Sequence, residues 1–286
     1  MGDGPVTRRG TPTPDPSPQG GGEPRQRRSF ASLPGLPPLI ACAALVAFWS
    51  LIAHALDING LPPPSEALRE VPAILTDPES LLNILDSVKR MVIGFALATL
   101  VAVPLGLMMG RSRAIAALFN PLLMVIYPVP KAALMPIIML WLGVGDASKT
   151  LVIFLGVTLP VIYHSFQGAR AVEEKMLWSA AAMGLGPAAR LTRIVLPASL
   201  PEIFVGLRTG LVIALITMVT SEMIARQAGV GNILFNSLDM AQYGTVYAMI
   251  VIIGIMGFII DAGFEALRGA LVSWAEPAHE IAVGSA

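Results

Sequence analysis

The chain has 286 residues, 55% hydrophobic and only 13% charged, with a mean hydropathy of +0.71 and no formal net charge at pH 7. Soluble domains carry about 25% charged residues, so this composition excludes an ordinary soluble fold and points to an integral membrane protein. Zero net charge excludes a bulk basic field for nucleic acid, and a lone cysteine, Cys42, excludes an intrachain disulfide or a thiolate metal site. Inside its apolar run, Cys42 is expected to be a small buried hydrophobe.

Residues 1–30 are Pro, Gly, Ser, Thr and Arg with almost no large apolar side chain. Such a segment does not bury enough surface to offset the entropy of ordering, so a disordered tail is expected there. A transmembrane domain should occupy 31–275 and a short C-terminal tail 276–286. The first apolar run, 36–56, follows five arginines, and Ala53-His54-Ala55 resembles a signal cleavage site. The run is about as long as a bilayer-spanning helix, and longer than the roughly 7–15 apolar residues of a signal peptide, so an uncleaved first span is preferred.

Further spans are expected at 91–109, 120–142, 150–166, 203–223 and 245–267, each near the ~20 residues a helix needs to cross. The third is the least regular. Pro121, Pro128, Pro130 and Pro136 each remove a backbone donor, so it should be kinked or interrupted and shielded by neighbouring helices. On one side of the membrane the longest segment is 57–86. Its Leu61-Pro62-Pro63-Pro64 start must be extended, and 66–75 has the period of a short surface helix with Ser65 as N-cap.

Six spans with a cytoplasmic N-terminus put the tail, Arg111, Arg113, the 167–202 loop and Arg268 on one side. That side holds twelve of the nineteen Lys and Arg residues, as the positive-inside rule requires. Both termini are then cytoplasmic. Within the loop, 173–183 has good helix formers and an apolar stripe through Met176, Leu177 and Ala180; Gly184-Leu185-Gly186-Pro187 breaks it. A second short helix follows, with Leu191, Ile194 and Val195 on one face and Arg190 and Arg193 on another. Leu196-Pro197 is expected to stop it, and Pro201 to open the fifth span. A helix pair of this kind suits insertion into a groove on a soluble partner.

The spacing Ala180, Gly184, Ile194, Leu196-Pro197 resembles the EAA loop of the membrane subunits of bacterial ABC importers. Similarity to the sulfonate, nitrate and taurine branch of these permeases runs over roughly 61–274. It includes Ser87-x-x-Arg90, Pro128-Val129-Pro130-Lys131, Trp141-x-Gly143-x-Gly145, Ser148-Lys149, Gly206-Leu207-Arg208 and Glu222-Met223. The resemblance implies an all-α membrane fold of about six transmembrane helices, of the type I importer kind, with cytoplasmic coupling helices between spans 4 and 5. It implies a permease subunit of an ATP-driven importer in the bacterial inner membrane, paired with a second permease subunit as a homodimer. Two cytoplasmic ATPase subunits holding ATP and Mg, and an extracytoplasmic solute-binding protein, complete the implied assembly, with a sulfonate, taurine, nitrate or related solute as cargo. Coupling to the ATPase is carried over to Ala180, Gly184, Ile194, Leu196 and Pro197. The family's acidic residue falls on Trp178, leaving Glu173 or Glu174, about one turn earlier, as substitute polar contacts.

No phosphate-binding G-x-x-x-x-G-K-[ST] occurs, so ATP hydrolysis is expected on a separate chain, with no catalytic residue, metal or cofactor in this one. His54, His164 and His279 are far apart and read as structural. Lys131 and Glu222 are the ionisable residues most clearly tied to spans; both are candidates for the translocation pathway or its gate, and for Glu222 a structural ion pair stands equally. Asp261, Glu265 and Arg268 read as the polar end of one helix. Gly106-x-x-x-Gly110 and Gly206-x-x-x-Gly210 permit close crossings, for example at a subunit interface. The alternative function is a stand-alone ion-coupled transporter with Lys131 and Glu222 as its relay; an intramembrane hydrolase lacks a nucleophile and base pair.

Overall fold

Continuous apolar sequence makes helices here, but the polar residues at the span ends extend them. A computed structural model describes Gly2, residues 36–56 and residues 58–274, and the expected tails at 3–30 and 276–286 lie outside the described residues. Every regular element among the described residues is helical. Five helices are long and apolar enough to cross a membrane, and a sixth crossing comes from a bent pair.

Helix α1 (Leu36–Leu56) is apolar on all sides and nearly unburied, as suits a surface for lipid. Cys42 is therefore exposed, contrary to expectation. Helix α2 (Pro64–Thr76) begins earlier than its periodicity suggests. Pro64 already fits the first turn, so Pro63 takes the N-cap position without a side-chain cap and Ser65 lies inside the helix.

Helix α3 (Pro78–Arg111) adds more than three turns to the predicted 91–109 span. Asp77 starts it, accepting a hydrogen bond from Ser80 N at 2.8 Å. Hydrogen bonding from Ser80 also holds the Asp77 carboxyl below its usual range. Helices α4 (Arg113–Ile126) and α5 (Met135–Leu142), with a 3-10 turn at Lys131–Leu134, make the proline-rich span, bent by 82° at the break. Interruption is what the prolines require. Beyond them lie α6 (Asp146–Ala171), α7 (Glu174–Ala182), α8 (Pro187–Arg190), α9 (Leu196–Ala225), α10 (Val230–Asp239) and α11 (Tyr243–Leu271).

Packing sets the direction of each crossing. Along α3, Gly94, Ala98, Ala102, Gly106 and Gly110 recur every four residues and form one small-residue ridge. A Cβ on Gly106 would stand 2.5 Å from Ser165 Cβ, and one on Gly110 2.6 Å from Ala169 Cβ, so α3 lies directly on α6. Arg90 meets Asp146 at the other end of the same helix pair. The two helices thus run parallel, and the bent α4–α5 segment must return from one end of the bundle to the other. It is one broken span.

On α9, a Cβ at Gly206 would lie 2.5 Å from His164 Cβ, and one at Gly210 3.1 Å from Val157, so α9 runs antiparallel to α6. Both glycine pairs make the close crossings that their spacing permits, and the surface they face is the chain's own α6. Where lipid offers no hydrophobic drive between helices, such close approach supplies the dispersion contacts that hold them. Gly106→Leu should therefore destabilise the chain by about 3 kcal/mol, read as a lowered midpoint in denaturant unfolding of the detergent-solubilised protein. An unchanged midpoint would show that the α3–α6 contact is not limiting.

Candidate functional site

Two constructions stand out, one at each end of the bundle. At the end where α3 stops and α6 finishes, α7 and α8 form a helix hairpin. Gly184 holds φ 84°, a left-handed conformation that favours glycine, and closes α7. Leu185 N donates to Ala180 O at 3.0 Å and Gly184 N to Ala181 O at 3.0 Å, the paired 6→1 and 5→2 bonds of a Schellman cap. The Ala180–Gly184 spacing is thus the spacing of the carbonyl that accepts the 6→1 bond and the left-handed residue. Leu177 and Ala180 are buried, while Met176, Trp178 and Met183 are exposed, Trp178 at 67%. Arg111, from the end of α3, reaches Glu174 Oε1 at 2.6 Å and ties the hairpin to the bundle. Glu173 sits in the exposed N-cap position of α7.

The second arm departs from expectation. Leu196-Pro197 does not stop the helix: α8, a π-turn at Leu191–Val195 and α9 run on continuously from Pro187 to Ala225. In the wider turn Leu196 N bonds Leu191 O, five residues back, and Pro197 follows in the first turn of α9, where no donor is needed. Ile194 and Leu196 pack against the main core. The hairpin thus joins α9 without an intervening loop.

At the opposite end lies a buried charge cluster. Glu222 on α9 is fully buried. Its Oε1 accepts from Arg90 Nη1 at 2.8 Å, its Oε2 from Gly231 N at 3.1 Å, and the Ser87 hydroxyl lies 2.7 and 2.9 Å from the two oxygens. Arg90 also donates Nε to Asp146 Oδ1 at 2.5 Å. Lys149 is 1% exposed and donates to Ala228 O at 2.7 Å. Ion pairing and hydrogen bonding together offset the cost of placing these charges away from water.

The cluster also caps α10, an element the hydropathy pattern did not suggest. Gly229 N bonds Asn83 Oδ1 at 2.6 Å, Val230 N bonds Ser87 Oγ at 3.0 Å, and Gly231 N bonds Glu222. Three orphan donors at the helix N-terminus are satisfied by α3 and α9, and the carboxylate sits at the positive end of the dipole. Gly229, at φ 130°, leaves room for the Glu222 carboxylate that a Cβ would occupy. Ser87-x-x-Arg90, Ser148-Lys149 and Glu222 were visible as separate motifs; that they meet at one point was not.

Lys131 lies elsewhere. Its Nζ donates to Ile126 O and Val129 O, each at 2.6 Å, and to Tyr127 O at 3.3 Å. It caps the carbonyls that the break after α4 leaves open. Asp261 does not merely finish its own helix: it receives Arg208 Nε at 2.8 Å and Nη2 at 2.7 Å from α9, a bidentate pair between helices, while Glu265 pairs with Arg268. His164 pairs with Glu202 at 2.8 Å. Among the described residues no group of three or more His, Cys, Asp or Glu is placed to hold a metal ion.

A family model described as the inner membrane component of binding-protein-dependent transport systems matches residues 102–272. The chain belongs to this family. It is an ABC importer permease subunit, a membrane transport protein and not an enzyme. A putative ABC transporter permease of Methanocaldococcus jannaschii is 31% identical over 81% of this chain and 89% of its own length. The taurine transport system permease TauC of Escherichia coli is 30% identical over 81% and 87%, and the nitrate import permease NrtB of a Synechocystis strain 27% over 82% and 88%. Among solved structures, the methionine ABC transporter MetNI in inward facing conformations matches with a TM-score of 0.52 over 65% of this permease and 93% of that chain, at 13% identity. That match carries the fold alone: an all-α permease of the type I importer kind with the hairpin between its fourth and fifth crossings.

Proposed function

We propose that this permease works as one of two identical subunits that move a small solute, such as a sulfonate, taurine or nitrate, through the bacterial plasma membrane. Two ATPase subunits, holding ATP and Mg, drive it from the cytoplasm through the α7–α8 hairpin, and an extracytoplasmic binding protein delivers the solute. The relatives named for taurine and nitrate transport support the solute class. The observation that carries the coupling is the Schellman-capped hairpin joined without interruption to α9. With Arg111, Arg113, Arg170, Lys175, Arg190 and Arg193 at the hairpin end, that end is cytoplasmic, as are both termini.

Ala180 and Gly184 form the turn that meets the ATPase, Ile194, Leu196 and Pro197 carry its movement into α9, and Glu174 holds the hairpin to α3 through Arg111. Glu222 serves as the anchor of an outer clamp joining α3, α6, α9 and α10, so opening that end must carry these elements together. Lys131 braces the bend of the broken span. The pathway wall is better served by the strip on α6 and α9 where Tyr163, Gln167, Glu202 and Thr209 are exposed or part-exposed. Hydrocarbon against that strip would be costly, whereas a water-filled route beside a second subunit would not.

Reconstitution with the cognate ATPase and binding protein tests this. Gly184→Pro forbids the positive φ and deletes the donor of Gly184 N, so it should abolish ATPase co-purification and ATP-driven uptake while the chain still inserts. Retention of both would defeat the coupling assignment. Uptake by the chain alone under an ion gradient would favour the stand-alone transporter instead.

A further inference from the structure

Where α3 turns into α4, the bundle leaves a cleft of about 600 Å³ lined by Arg111, Arg113, Arg170, Glu174, Asn120 and apolar side chains of α3, α4 and α6. Glu174, the cleft's sole carboxylate, is engaged by Arg111 at 2.6 Å. Arg113 and Arg170 are exposed, and among the described residues neither is in an ion pair; Arg170 rests over the Phe166 ring at 6.0 Å from its centroid. The cleft thus holds two uncompensated guanidinium groups. Arg113 also stands on the first turn of α4, where the helix dipole adds positive potential. Met109, Ala116, Ala117 and Phe166 make the walls apolar, and these walls continue into spanning helices.

Guanidinium pairs above apolar walls at the membrane boundary match one ligand chemistry: a phosphate monoanion carrying hydrocarbon chains. We propose that this cleft binds the headgroup phosphate of an anionic phospholipid from the inner leaflet, with Arg113 and Arg170 on the phosphate and the lipid's glycerol against Met109 and Phe166. Basic pockets between transmembrane helices on the cytoplasmic side take anionic headgroups by the same physics, at about 1 kcal/mol for each nearby Arg. The neighbouring hairpin exposes Met176, Trp178 and Met183, a different chemistry from the cleft. A lipid held here would wedge the corner between α3, α6 and α7, at the base of the hairpin. The assignment rests on the cytoplasmic orientation of this end proposed above.

Native mass spectrometry of the full chain in detergent decides it, with phosphatidylglycerol, phosphatidylcholine and inorganic phosphate as probes. Phosphatidylglycerol should be retained in preference to phosphatidylcholine. Arg113→Gln with Arg170→Gln should weaken its binding by about thirtyfold, while Arg193→Gln, outside the cleft, should leave it unchanged. Equal retention of phosphatidylcholine, or wild-type binding by the double variant, would overturn the proposal. Displacement by millimolar inorganic phosphate would reassign the cleft to free phosphate and overturn the lipid. The assay involves neither ATPase nor uptake, so its failure leaves the permease reading standing, and loss of coupling in the Gly184 variant leaves this one standing.

Discussion

Replacing Glu222 by leucine should destabilise the permease by about 3 kcal/mol, the cost of removing the one fully buried carboxylate that faces Arg90, which keeps only its more exposed partners Asp146 and Asp86. Arg90 is 4% exposed and Lys149 1% exposed, so neither reaches water easily when the carboxylate goes. The same substitution uncaps Gly231 N and strips Ser87 of an acceptor, so α10 should loosen with the cluster. Glu222→Gln keeps the shape and one carbonyl acceptor and should cost less. Arg90→Met combined with Glu222→Leu should recover part of the loss, because two apolar side chains then replace a charged pair. The measurement is the unfolding midpoint in detergent, with protease sensitivity around 226–240 reporting α10. A leucine variant as stable as the wild type would mean that the cluster is not what holds this end together.

Trp178→Ala should weaken association with the ATPase by about thirtyfold or more, the cost of removing a central aromatic anchor of roughly 2 kcal/mol or above. Two observations motivate this. The Trp178 ring is 67% exposed on a helix outside the spans, and it stands where the sequence pattern of these permeases has an acidic residue. Because the ring packs on little of its own chain, its removal should leave folding intact. Trp178→Glu separates the chemistries: an apolar socket on the ATPase should reject it as strongly as alanine, whereas affinity at the wild-type level would mean that the partner kept a basic contact. Pull-down of the ATPase on immobilised permease, at two salt concentrations, reads both.

The hairpin and the broken span were legible because their causes are local. Gly184 and Pro187 dictate a turn whatever surrounds them, and four prolines between 121 and 136 do not permit an uninterrupted helix. The ridge on α3 was half visible as Gly106-x-x-x-Gly110, but its partner surface was not, since nothing in the spacing distinguishes a contact inside the chain from one between chains. Leu196-Pro197 misled for a physical reason. A proline ends a helix when a donor is lost from an intact ladder, and here the π-turn before it has already shifted the ladder by one residue. Helix α10 was missed because 226–240 is too polar and short to resemble a span, and its start is capped by groups from α3 and α9.

From composition and pattern alone came the membrane class, the number of crossings and the hairpin, since each depends on hydropathy or backbone chemistry within a few residues. Only the tertiary structure decided that Ser87, Arg90, Lys149, Asp146 and Glu222 form one cluster, that Lys131 serves the bend and that Asp261 answers Arg208. Glu222 and Arg90 are 132 residues apart. Such partners are selected by the burial of charges that must find one another in a low-dielectric interior, a condition that acts through space and leaves no periodic mark on the chain.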